Sequence, residues 1–180
     1  MRDFIEKFLK QNDYNFQIVD PQTIVFRDEY AQKCAMNYCG RYNRSWSCPS
    51  AIGDVNLLRK KVLSFKHAIL YSKITELEDP YDVESMDKGR NNIMNDTLNL
   101  LELLKNYSER FYILSAGSCS ICSKCTYPDL PCRFPARMLI SLEALGIDVA
   151  LLAKNNDMKY YNGVNTVTYF SIVFFGDRNE

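Results

Sequence analysis

Thr166-Val167-Thr168-Tyr169-Phe170-Ser171-Ile172-Val173-Phe174-Phe175 is apolar at both odd and even positions over most of its length. Successive strand side chains point to opposite faces, so such a run is buried on both sides and predicts the central strand of a sheet. Working back from it, DVALLA (148–153) reads as a second strand. A shorter helix over 136–145 is expected to stop at Gly146, a residue suited to a C-cap. FYILSAG (111–117) reads as a buried strand, and Met94, Leu98, Leu101 and Leu104 form one stripe of a helix over roughly 88–106.

HAILYSKIT (67–75) predicts a further strand, followed by an exposed acidic loop from Glu76 to Asp87. Ile52, Val55, Leu58, Val62 and Phe65 step at helical spacing, and Ser50 is the expected cap of that helix. FQIVDPQTIVFRDE reads as two short apolar runs around Asp20-Pro21-Gln22, the pattern of a hairpin. Phe4, Ile5, Phe8 and Leu9 share one face of an amphipathic helix over 2–11. Strands alternating with helices give an α/β or α+β fold: a single mixed sheet with helices packed on it and two Cys-rich metal-binding loops.

The chain has 180 residues, enough to bury a core of its own, and residues 1–180 read as a single metal-binding domain. It is 47% hydrophobic and 24% charged, with 22 basic residues against 22 acidic, so no basic excess attracts nucleic acid or an anionic membrane. The N-terminal helix is interrupted by charges and lacks the apolar core and cleavage site of a signal peptide. No apolar run approaches the length of a membrane span. The expected location is the cytoplasm.

In a reducing cytoplasm seven cysteines are not a disulfide framework. They fall in two short segments and nowhere else, a clustering that points to metal. Cys119, Cys122, Cys125 and Cys132 are spaced C-x2-C-x2-C-x6-C. Three thiolates two residues apart can wrap one face of a four-iron cube from a tight loop, with the fourth arriving from further along, as in bacterial-type ferredoxins. Tetrahedral zinc sites prefer two separated C-x2-C knuckles, and zinc is the alternative metal. Ser118, Ser120 and Ser123 suit a loop that turns backbone N–H groups toward a cluster. Lys124 is either a countercharge or solvent-facing.

Cys34, Cys39 and Cys48 make a set of three, C-x4-C-x8-C, ending in Cys48-Pro49. Three thiolates can hold a four-iron cluster with one iron left open, a Lewis acid and a substrate site. Otherwise an Asp, Glu, Asn or His completes the shell; a structural zinc or a group of buried thiols is the plainer reading. His67, the single histidine, reads as structural. The helix capped by Ser50, and the one following Pro135, would each aim a positive N-terminal end at a metal site. Arg41, Tyr42 and Trp46 are expected to shield the first metal from water. Arg133 and Arg137 flank the fourth ligand of the second set, as anion binders or as charge balance. Cofactor-contacting residues are thus Arg41, Trp46, Lys124 and Arg133. Glu143 is an acid/base candidate or a solvated charge, and Asp148 a loop cap. Tyr160, Tyr161 and Tyr169 are expected to pack within strands.

CAMNYCGRYNRSWSCPS, CSICSKC followed by PCRFP, SLEALGIDV and the ending TVTYFSIVFF resemble a family of bacterial and archaeal predicted metal-binding proteins. The resemblance covers most of the chain and implies metal binding through these cysteines; it implies no reaction. Ser50 stands where the family commonly has a second proline, and Phe134 where it commonly has histidine. No Walker-type, GxGxxG, HExxH, Gly-x-Ser-x-Gly or Cys-x3-Cys-x2-Cys run occurs, so nucleotide and radical-SAM chemistry lack support. Three functions follow, in order: a protein with one or two [4Fe-4S] clusters that serves electron transfer to a redox partner protein; a small enzyme with substrate at an open iron of the three-Cys set; and a zinc-stabilised binding module.

Overall fold

The computed structural model describes residues 1–177. Its centre is β5 (Thr166–Asp177), hydrogen-bonded along one edge to β2 (Phe65–Glu76) and along the other to β3 (Phe111–Ser115). β1 (Asn15–Val19) lies outside β2, and the two-residue β4 (Ile140–Ser141) lies outside β3, so the sheet order is β1-β2-β5-β3-β4. All pairs are antiparallel except β3 with β4. This is a single mixed sheet of an α+β protein, and the run from 166 is its central strand as the residues require.

Alternation divides the core between the two faces. Phe170, Ile172 and Phe174 of β5, with Ala68 and Leu70 of β2, join one apolar cluster; Val173 and Phe175, with Ile69 and Tyr71, join the other. α1 (Arg2–Gln11) and α4 (Val83–Leu104) cover the second face, burying Ile5, Leu9, Ile93, Met94, Leu98 and Leu104. Gly89 marks where α4 comes closest to β2, since a Cβ there would collide with the Thr75 side chain. The first face is closed by α3 (Val55–Leu63), α5 (Val149–Asn155) and the turns around Leu142 and Leu145. Among the described residues no helix is long and apolar enough to cross a membrane.

Several expected elements are replaced. Residues 20–27 do not complete a hairpin: Pro21–Thr23 is a 3-10 turn and Phe26 bridges Ile147, far along the chain. The helix after the first cysteine segment is capped by Asp54, whose carboxylate accepts the Asn56 N–H at 2.8 Å, and not by Ser50. Residues 136–145 are not a helix. Pro135–Arg137 and Glu143–Leu145 are separate 3-10 turns with β4 between them. Gly146 does take the left-handed conformation, φ 76°, and a Cβ there would meet the Arg27 carbonyl oxygen at 2.7 Å. DVALLA is helical: Asp148 caps α5 by accepting the Leu151 N–H at 3.0 Å.

Candidate metal centre

Past β3 the chain turns at Gly117, φ 68°, and runs to Pro135 without a helix or strand. Cys119, Cys122, Cys125 and Cys132 line one cavity of about 30 Å³ along this stretch. Two-residue spacing returns each of the first three thiols to the inside of the loop. The longer return to Cys132 is closed by the Leu130 N–H on the Thr126 carbonyl, 3.0 Å, and by the Thr126 hydroxyl on the Pro131 carbonyl, 2.9 Å.

The first segment supplies the rest of that cavity: Arg41, Ser45, Trp46 and Ser47 line it too. The Trp46 indole N–H donates to the Leu130 carbonyl at 3.0 Å, and its ring meets Tyr127 edge-on at 4.9 Å. The Tyr127 hydroxyl in turn donates to Asn43 Oδ1 at 2.8 Å. Burial works to raise the Cys125 thiol, but backbone N–H groups of Tyr127, Trp46 and Thr126 and the Ser45 hydroxyl bring it below the ordinary thiol value. Burial pushes the Cys119 thiol up against N–H groups of Ile121 and Leu139, with Cys132 and Cys122 near enough to add to the rise.

The other three thiols meet on the far side of the first segment. Cys34 lies in α2 (Asp28–Ala35), which is tied to α3 by the Asp28–Arg59 ion pair at 2.7 Å. Asn37, φ 55°, then turns the chain so that its side-chain oxygen accepts the Tyr42 N–H at 3.0 Å, which carries Cys39 round. The Asn43 N–H on the Pro49 carbonyl, 2.8 Å, closes the loop that returns Cys48 to the interior. Cys34, Cys39 and Cys48 line a cavity of about 470 Å³ with Tyr42, Asp87, Arg90 and Glu143. Burial raises the Cys34 and Cys48 thiols; at Cys48 the Ser47 hydroxyl and Arg41 pull the other way.

Arg41 lines both cavities. Tyr42 stands with the three thiols as expected, whereas Trp46 walls the cavity of the four, drawn there by Leu130 and Tyr127. Arg133 lines the four-thiol cavity and donates to the Lys124 carbonyl at 3.0 Å; the Lys124 side chain is exposed and lies outside the wall. Arg137 is drawn off to Glu102 of α4, 3.1 Å. His67, in β2, packs its ring near that of Phe175 in β5 and reaches neither cavity. Neither Ser50 nor Pro135 starts a helix aimed at the thiols, since α3 begins six residues on from Pro49 and Pro135–Arg137 is one 3-10 turn. Tyr160 and Tyr161 lie in the turn before β5, not in a strand; Tyr169 is in β5 and donates to the Met86 carbonyl at 2.7 Å.

Glu143 lines the three-thiol cavity and is open to solvent there. Ser45, Ser47, Asp87 and Arg90 are cavity residues that composition and spacing did not single out. For Ser45 and Ser47 the one signal was the density of small polar residues just before Cys48; Asp87 and Arg90, in α4, had none.

All seven cysteines are free thiols, soft donors suited to iron–sulfur groups or zinc. The four-thiol set fits such a group by donor type and by the N–H and O–H groups turned toward Cys119 and Cys125. Among the described residues no three Cys, His, Asp or Glu side chains draw together tightly enough to hold one metal ion, so the thiols stand as cavity walls.

No curated protein and no solved structure matches the chain. A family model described as "Predicted metal-binding protein (DUF2284)" matches residues 17–175, which takes in both thiol sets and every strand but the first two residues of β1 and the last two of β5. With the match running through both cysteine segments, the chain belongs to this family of predicted metal-binding proteins.

Proposed function

We propose that the protein is an iron–sulfur redox protein, with one [4Fe-4S] cluster on Cys119, Cys122, Cys125 and Cys132, a second on Cys34, Cys39 and Cys48, and a partner protein with which it exchanges electrons. The observation that carries this reading is that the first segment walls the second segment's cavity. The Trp46 backbone N–H and Ser45 hydroxyl turn toward the Cys125 thiol, and the Ser47 hydroxyl accepts the Cys119 N–H at 3.0 Å. A bound cluster supplies one-electron chemistry at a potential set by charge, burial and hydrogen bonds to its sulfurs.

The chain's own residues supply those controls. Donors to Cys125 and Cys119 favour the ionised thiolates that ligate iron. Arg41 offers positive charge to both cavities. Trp46 and Tyr127 exclude water from one side of the four-thiol set. Leu130 and Phe134, 62% and 42% exposed beside that set, offer apolar surface where a partner would approach.

Metal and acid-labile sulfide per chain, with visible and EPR spectra, test the reading on protein purified without oxygen. About eight irons and eight sulfides is the result expected for two four-iron clusters. Stoichiometric zinc without sulfide would replace this reading with that of a zinc-stabilised binding module.

A further inference from the structure

Glu143 stands where three hollows meet. The largest, about 470 Å³, has Cys34, Cys39 and Cys48 on one wall and Asp87 and Arg90 of α4 on another. A second, about 360 Å³, shares Cys34 and Cys39 and continues over Tyr30, Ile147, Val149 and Tyr160. The third, about 260 Å³, runs between Arg90 and Tyr160 along β5. Together they make a cleft with a polar end and an apolar end, of the size in which proteins hold small molecules.

The polar end carries uncommitted donors. Arg90 meets Asp87 through Nη2 at 3.0 Å, while its Nε is buried and has no partner among the described residues. Its methylenes lie over Gly117, where a Cβ would stand 3.2 Å from Arg90 Cδ, so the guanidinium is held against the cavity wall. Arg41 borders the same hollow and makes no ion pair among the described residues. A guanidinium presents its N–H groups in a fixed fork that matches a carboxylate. The apolar end is floored by Ile147 and Val149 and sided by Tyr160, whose ring stacks on Phe170 at 5.8 Å.

We propose that this cleft binds a small organic carboxylate with an apolar or aromatic body, its carboxylate on Arg90 and Arg41 and its body over Ile147 and Tyr160. Bound so, the middle of the ligand lies beside Cys34 and Cys39, with Glu143 at the junction to hydrogen-bond a polar substituent. The proposal deepens the reading of the three-thiol set as a metal site and rests on it for what happens to the ligand. The contacts that bind the ligand are the protein's own.

Calorimetric titration of the anaerobically purified full chain with phenylacetate tests it, with acetate and inorganic phosphate as comparison ligands and iron and melting temperature recorded for each preparation. Phenylacetate is expected to bind saturably, at one per chain, at least tenfold more tightly than acetate or phosphate. Arg90→Gln should weaken it at least tenfold. Ala150, an exposed residue of α5, also lines the apolar end, and Ala150→Phe, which fills it, should abolish the preference for phenylacetate over acetate while leaving Arg90 in place. Absence of phenylacetate binding to well-folded protein overturns the proposal, as does Arg90→Gln binding like the parent or phosphate binding as well as phenylacetate. Protein that lacks iron and sulfide yet binds phenylacetate through Arg90 would support the cleft and refute the cluster reading alone.

Discussion

The Ser47 hydroxyl accepts the backbone N–H of Cys119 at 3.0 Å and lies 3.9 Å from the sulfur of its neighbour Cys48. One buried side chain, 1% exposed, therefore touches a member of each thiol set. Ser47→Ala removes the acceptor and leaves the Cys119 N–H without its partner. A loss of about 1–3 kcal/mol in unfolding free energy is expected from stranding such a donor. Denaturant titration measures it, and a midpoint equal to the parent's would show that water replaces the hydroxyl.

The two sets are also separable by substitution. If both sets hold metal as proposed, Cys125→Ser should remove that of the four-thiol set, and Cys48→Ser that of the other. On the two-cluster reading each variant keeps about half of the parent iron and sulfide. Iron analysis with EPR distinguishes them, because the surviving signal differs between the variants. A Cys48→Ser protein with its full complement of iron would restrict metal to the four-thiol set.

Asp148 gives the fold a dependence on acid. Burial acts to raise its carboxyl, but the Leu151 N–H at the start of α5 and the Arg27 guanidinium, 2.5 Å away, hold it below the usual carboxylate value. Because the folded value is the lower one, this contribution is complete above the unfolded value of about 3.9 and disappears as pH falls through the folded value. Asp148→Asn keeps a capping oxygen and loses the charge, so its deficit in stability should be constant from neutral pH to about 5 and shrink below about 4. Asp148→Ala should lose a further ~1 kcal/mol with the cap. Thermal melts across pH check both, and a deficit for Asp148→Asn that persists at pH 2 would contradict the ion-pair account.

Gly89 inverts the ordinary helix rule. Within an exposed helix, Gly→Ala gains about 1 kcal/mol. Here the added methyl would collide with Thr75, a β-branched residue of β2 with little rotamer freedom. Overpacking of this kind costs about 1–3 kcal/mol, so Gly89→Ala should be neutral to destabilising. A rise in melting temperature would show that α4 can lift from the sheet.

Residues 166–175 and 67–75 declared themselves because long apolar runs on both faces have only one place in a sheet. α1 and α4 were legible from helical stripes, although α4 starts at Val83, earlier than its apolar residues imply. VALLA misled because five apolar residues in a row fit a strand and a buried helix equally by period. Asp148 with its reach to Leu151 was the deciding local signal. Asp54 likewise outcompeted Ser50 as a cap, standing directly before the helical stripe. Phe26 pairing with Ile147 is a long-range choice that no local pattern encodes. For the site, spacing sorted the seven cysteines into two sets, and the structure gives each set its own cavity. The crossing of Trp46 from one segment to the other's wall was hidden, since spacing reports a segment's reach to itself and not to its neighbour.

That crossing sets a limit on transplantation. The stretch 117–135 carries four of the seven cysteines and invites use as a free-standing peptide or as a graft onto another scaffold. Detached, it would leave behind Ser45, Trp46 and Ser47, and with them donors to Cys125, the acceptor for the Cys119 N–H and the anchor of the Leu130 carbonyl. The four thiols form a module in the linear code only; in three dimensions their enclosure is built by two distant pieces of chain and can be borrowed only as a pair.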